Sequence, residues 1–144
     1  MLDPAKHVKP FVYASATTKA LHFSMHEIQS RMALADPFAL DLEYTRTMMG
    51  FLLLRPEPKR IVMIGLGGGS LAKFCHRHLP GASIQVAEIN PHVIALRDEF
   101  HVPPDDARLS VVQADAGDWV ADPAHAGSAD VLCVDLYDHE AAAP

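Results

Sequence analysis

The stretch best suited to chemistry is Ile64-Gly65-Leu66-Gly67-Gly68-Gly69-Ser70, where an apolar run ends in a glycine turn and a helix-forming segment begins at once. Backbone without side chains at a strand-to-helix turn lets a ligand approach the helix N-terminus closely. Glycines at 65, 67 and 69 make G-x-G-x-G, whereas position 70, the dinucleotide fingerprint's third glycine, is serine. The pattern favours a nucleoside-sulfonium ligand over NAD. Glu88 ends the next apolar run, nineteen residues past Gly69, where a carboxylate can accept both ribose hydroxyls. Asp115 and Asp135 follow two later runs; Asp115 is placed to accept an exocyclic amino proton of adenine. Each acid alone could equally cap a helix. Together with the glycine turn they converge on the sheet edge where open α/β folds bind ligands.

These residues need a parallel sheet to position them, and the chain supplies its pattern from Lys59 onward. Short apolar runs at Ile61 to Ile64, Ser83 to Glu88, Leu109 to Gln113 and Val131 to Asp135 alternate with helical stretches near Leu71 to His78 and His92 to Phe100. That βαβαβ order predicts an α/β fold. Ile61-Val62-Met63-Ile64 has no polar alternation, as expected of a central strand covered on both faces. Before it, Phe11 to Ser15, Ala20 to Met25 and Glu27 to Leu34 read as a small antiparallel β element. Asp36-Pro37 reads as the N-cap and first-turn proline of one amphipathic helix carrying Phe38, Leu42, Thr45, Met49 and Leu52. The division expected is residues 1–35 as the N-terminal β element and 36–144 as a helix plus a partial nucleoside-binding domain.

The 144 residues, 49% apolar and 21% charged, fit one globular domain rather than a repeat array or a disordered chain. The net charge of −6 disfavours a nonspecific nucleic-acid binder. Nine acids fall in residues 105–144 against the single Arg108, so a pocket lined by that part should prefer a cation. Cys75 and Cys133, far apart, suggest neither a disulfide framework nor a paired-cysteine metal site, and a reducing cytoplasm fits. Neither a signal core nor a membrane-length apolar run is present, so no membrane partner is expected. Cys75, His76 and His78 offer too few ligands for a metal, and His22 and His26 on one strand lie too far apart to share one. Trp119 reads either as a cover for adenine or as ordinary core.

In order along the chain, Ile28-Gln29-Ser30-Arg31-Met32, Tyr44-Thr45-Arg46-Thr47-Met48-Met49, the glycine turn, Glu88-Ile89-Asn90-Pro91, Phe100-His101-Val102-Pro103-Pro104, Asp115-Ala116 and Asp135-Leu136-Tyr137-Asp138 together resemble the spermidine synthase-like (polyamine aminopropyltransferase) family. The resemblance covers roughly residues 20 to 140. It implies a methyltransferase-like Rossmann fold, here with an incomplete parallel sheet, preceded by a small N-terminal β element. It further implies a transferase that passes an aminopropyl group from decarboxylated S-adenosylmethionine to a diamine such as putrescine, with no metal. By position, Gln29, Gly65, Gly67, Gly69, Glu88, Asp115 and Ala116 would hold the nucleoside ligand. Asp135, Asp138 and Tyr44 would form the amine end, with Asp138 accepting the amine proton and Asp135 orienting the amine.

Three positions depart from the family pattern. An acid of the family's glycine turn falls on Gly68, a glutamate after the tyrosine falls on Arg46, and a further glutamate falls on Phe74. These departures resemble an uncharacterised branch. The sequence stops at Pro144, just past the fourth strand of the series, so a C-terminally truncated member is expected. The partners expected are a small cationic amine and a second copy in a homodimer. Two other readings stay open: an S-adenosylmethionine-dependent methyltransferase, for which Gly68 removes a charge that would repel the donor carboxylate, and a noncatalytic fragment dimerising through the sheet edge near Val131 to Asp135.

Overall fold

A computed structural model describes residues 4–24 and 28–135. Three short strands come first: β1 (Phe11–Ala14), β2 (Thr18–His22) and β3 (Ile28–Ala33), an antiparallel sheet in the order β1-β2-β3. The turn between β1 and β2 is closed by Ser15, whose hydroxyl accepts the N–H groups of Thr17 and Thr18 at 3.2 and 3.0 Å. Such side-chain capping of turn amides is what serine does well.

The second sheet is parallel, with β4 (Arg60–Ile64), β5 (Ser83–Glu88), β6 (Leu109–Gln113) and β7 (Val131–Val134) in the order β6-β5-β4-β7. Strands are therefore added on one side of β4 and then, with β7, on the other. The crevice between the carboxyl ends of β4 and β7 is the point where the winding reverses, which is where such sheets bind ligands. Alternation in β4 builds both faces: Ile61 and Met63 pack against Leu71, Ala72 and Cys75 of α2 (Ser70–His78), while Val62 and Ile64 pack beneath Trp119 of α4 (Ala116–Ala121). Trp119 is thus core, stacked on His125 with ring centroids 3.7 Å apart. The antiparallel sheet joins this body through Leu21 and Met32, packed against Phe100 and Val102.

Two expected helices are corrected. The helix predicted to start after Asp36 starts seven residues later, as α1 (Glu43–Met48), and tightens into a 3-10 turn over Met49–Leu53. Asp36 instead bridges to Ala33 and its carboxylate accepts the Phe38 N–H at 3.3 Å, closing a local turn. Arg31 of β3 then pairs with Asp41, and the chain runs through turns to Leu42, which is extended at φ −81° and ψ 138°. The side chain that suited a cap found a turn nearer in sequence. The second correction is α3, which covers only Pro91–Ala95. Its continuation is a series of turns ending at His101, which adopts φ 59°.

Candidate functional site

The glycine turn leaves β4 at Gly65, whose N–H still pairs with the Ala87 carbonyl at 2.9 Å. It closes where the Gly69 N–H donates to the Leu66 carbonyl at 2.8 Å, and α2 begins. Gly69 caps that helix at φ 74°, and a Cβ there would lie 2.3 Å from Cγ2 of Val102. Glycine is required on both counts. At Gly68 the constraint is steric: a Cβ would lie 2.4 Å from Ser30 Oγ and 2.9 Å from Ser30 Cβ. The Ser30 hydroxyl lies 3.2 Å from that of Ser70, so β3 closes over the turn and fills the space a side chain at 68 would need.

Glu88 ends β5 and is nearly buried, at 9% exposure. Its Oε1 accepts the Leu66 N–H at 2.9 Å and its Oε2 accepts the Asn90 N–H at 3.0 Å. The carboxylate is fixed by backbone donors on either side, with a lone pair left on each oxygen for a further donor. Two hydroxyls of a ribose would match that pair.

Asp135 follows β7, and its N–H donates to the Ile64 carbonyl at 2.9 Å. The Tyr44 hydroxyl of α1 lies 3.3 Å from Asp135 Oδ2 and 3.0 Å from the Gln29 carbonyl. Both are acceptors for its single proton, so protonation of Asp135 would let the acid donate to Tyr44 while Tyr44 donates to Gln29. Burial pushes the Asp135 pKa above its ordinary value; the Tyr44 hydrogen bond opposes this and the Glu88 charge adds to it. A carboxylate raised in this way is a better proton acceptor than an exposed one.

One cavity of about 300 Å³ brings these groups together, a volume suited to a small-molecule ligand. Gln29, Tyr44, Gly65, Gly67, Glu88 and Asp135 all line it. Gly69, Asp115 and Ala116 do not. Gly69 faces Val102, and Asp115 caps α4 by accepting the Asp118 N–H at 3.0 Å. Asp138 lies outside the described residues, as do Leu136 and Tyr137 of the same segment, and His26 and His139. Among the described residues, no three His, Cys, Asp or Glu side chains are grouped so as to hold a metal ion. No described helix is long and apolar enough to cross a membrane.

Sequence reasoning missed Lys6, His7, Val8 and Asn90 as lining residues. Asn90-Pro91 was legible as a helix cap; its side-chain oxygen accepts the His92 N–H at 3.0 Å. Lys6 to Val8 carry no local signal, because only the tertiary fold brings them to the cavity.

No protein-family model matches the chain. A polyamine aminopropyltransferase of Chromobacterium violaceum is 43% identical over 138 residues, spanning 94% of this chain and 52% of that protein. The chain spans about half the length of the curated relatives it matches. Among solved structures, a probable spermidine synthase from Corynebacterium glutamicum superposes with a TM-score of 0.72 at 21% identity, over 89% of this chain and 48% of that one. Human methyltransferase-like protein 13 in complex with SAH superposes with a TM-score of 0.60 at 29% identity, over 68% of this chain and 49% of that one.

Proposed function

Because the chain is a member of the spermidine synthase-like (polyamine aminopropyltransferase) family across the half that it spans, we propose that its cavity binds an adenosyl sulfonium ligand related to S-adenosylmethionine. The protein to which it belongs then transfers an aminopropyl group from decarboxylated S-adenosylmethionine to a diamine such as putrescine. One observation carries this reading: the side-chain-poor turn at Gly65 and Gly67, the fixed Glu88 carboxylate and the Tyr44–Asp135 pair line a single cavity. The ribose end and the amine end are thereby within one ligand's reach.

In the proposed reaction the Glu88 oxygens accept the ribose hydroxyls, and Gly65 and Gly67 let the nucleoside lie against backbone. An amine nitrogen attacks the aminopropyl carbon bonded to sulfur; the C–N bond forms, the C–S bond breaks, and its electron pair stays on sulfur as neutral methylthioadenosine. An alkylammonium has no lone pair, so a carboxylate must take its proton. Asp135, held by Tyr44, orients the amine. Asp138 is assigned the proton on its place in the D-x-x-D segment alone. Asp115 with Ala116, at the β6 edge, is assigned to adenine on the same positional ground. Placement in the cytoplasm and assembly as a homodimer belong to the same proposal.

A second reading has its own support. Gly68 has no room for the acid found there in the family pattern, because Ser30 occupies that space. Ser30, which lines the cavity, is uncharged and tolerates the carboxylate of S-adenosylmethionine, which favours methyl transfer. Displacement of bound methylthioadenosine by the two donors separates the readings. Tighter binding of the decarboxylated donor supports aminopropyl transfer, and tighter binding of S-adenosylmethionine overturns it in favour of methyl transfer.

A further inference from the structure

Within residues 4–9, Lys6 to Val8 form a wall of the cavity that neither the motifs nor the proposed reaction uses. They begin as a short 3-10 turn, Pro4–Lys6, and enter β1 through the buried Pro10. Lys6, His7 and Val8 all line the cavity, across the sequence from Glu88, Ile89, Asn90 and Val93 of the same lining. The Asn90 side-chain N–H donates to the Val8 carbonyl at 2.7 Å, joining residues 82 apart.

Asn90 links three features. Its backbone N–H holds Glu88 Oε2, its Oδ1 caps α3 at His92, and its Nδ2 ties down Val8. Asn90 as a residue is 8% exposed, so a lost partner there leaves a buried polar atom unsatisfied. Around it the cavity wall is Val8, Ile89 and Val93 beside Glu88. Apolar side chains next to a fixed acceptor suit the uncharged sugar and base of a nucleoside, not a polyamine.

We propose that residues 4–9 are a strap over the nucleoside end of the site, latched by Asn90, which acts as a positioning residue for both the strap and Glu88. This deepens the adenosyl-ligand reading and rests on it. The strap also brings two basic side chains, Lys6 and His7, to a cavity whose carboxylates are Glu88 and Asp135. A neutral ligand therefore isolates the latch from charge effects.

The test uses methylthioadenosine as the probe. Asn90→Asp keeps the α3 cap and the backbone N–H but cannot donate to Val8. Asn90→Ser keeps a cap, adds no charge and is too short to reach Val8. Both variants should bind the probe roughly fivefold to tenfold more weakly, the effect of one lost buried hydrogen bond. In the wild type, hydrogen exchange at the amides of residues 5–9 should slow when the probe binds; in both variants this protection should be lost, while the amides of β4 and β5 stay protected and show that the variants are folded. Wild-type binding with unprotected residues 5–9, or variants that bind equally well, overturns the strap and leaves the nucleoside reading standing. Failure of the wild type to bind methylthioadenosine refutes the nucleoside reading, and the strap with it.

Discussion

Adding one methyl group at Gly68 tests how the glycine turn is built. The Cβ of Gly68→Ala would lie 2.4 Å from Ser30 Oγ, 2.9 Å from Ser30 Cβ and 3.2 Å from Phe100 Cδ1. Rotating the hydroxyl relieves the first contact but not the second, since Ser30 Cβ is fixed to the β3 backbone. Gly68 is not among the glycines with positive φ, so alanine brings no backbone strain and even gains about 0.4–1 kcal/mol by restricting the unfolded chain. Overpacking a tight core site costs typically about 1–3 kcal/mol, so the expected net loss is about 1–2 kcal/mol. At this chain length that is a fall of roughly 3–8 °C in melting temperature. Ser30→Gly removes the two closest clashing atoms and leaves only the 3.2 Å contact to Phe100, so in the double variant most of the penalty of Gly68→Ala should disappear, giving a coupling of about 1 kcal/mol by urea denaturation. A Gly68→Ala protein as stable as wild type, or a penalty that persists in full in Ser30→Gly, refutes the claim that Ser30 keeps position 68 free of side chains.

Other consequences follow from the same contacts. His101, exposed at φ 59°, carries left-handed strain of about 1 kcal/mol, so His101→Gly should raise the urea midpoint; a fall would contradict this. Asp106 accepts the Arg108 and Leu109 N–H groups and pairs with His76, which lowers its pKa from 3.8 to about 2. Its stabilisation is therefore present above pH 3.8 and lost as pH falls toward 2, so the acid limb of the stability profile should flatten in Asp106→Asn. Lys73 is buried with its Nζ donating to the Phe100 carbonyl at 2.8 Å, and burial lowers its pKa from 10.5 to about 8. Between these values the unfolded chain binds the extra proton, so stability should rise from pH 8 to 10.5 in the wild type and not in Lys73→Met. Tyr44→Phe removes the hydrogen bond that opposes the upward shift of Asp135, so the carboxyl resonance of Asp135 should titrate at higher pH, by NMR, than in the wild type.

The parallel sheet was legible because its signals are local. β5 and β6 coincide with the apolar runs Ser83 to Glu88 and Leu109 to Gln113, and the glycine turn could only follow a buried strand. Glu88 was legible for the same reason, since spacing from the turn places it at the sheet edge. The start of α1 was not. Asp36-Pro37 is a good cap, but the Ala33 bridge and the Arg31–Asp41 pair hold the chain in turns until Leu42, and both depend on β3 already being in place. Ser30 against Gly68, and Asn90 against Val8, join residues 38 and 82 apart. No periodicity encodes such contacts. Asp115 was legible as a residue at the carboxyl end of β6, where it caps α4 beside the cavity lining rather than within it.

The central claim is that Glu88 and the glycine turn form a nucleoside site, and calorimetric titration of the chain with methylthioadenosine tests it most directly, with Glu88→Gln as the control. The account predicts saturable micromolar binding to the wild type that is lost in Glu88→Gln. Absence of binding to the folded wild type, or binding that survives the loss of the Glu88 carboxylate, would contradict it.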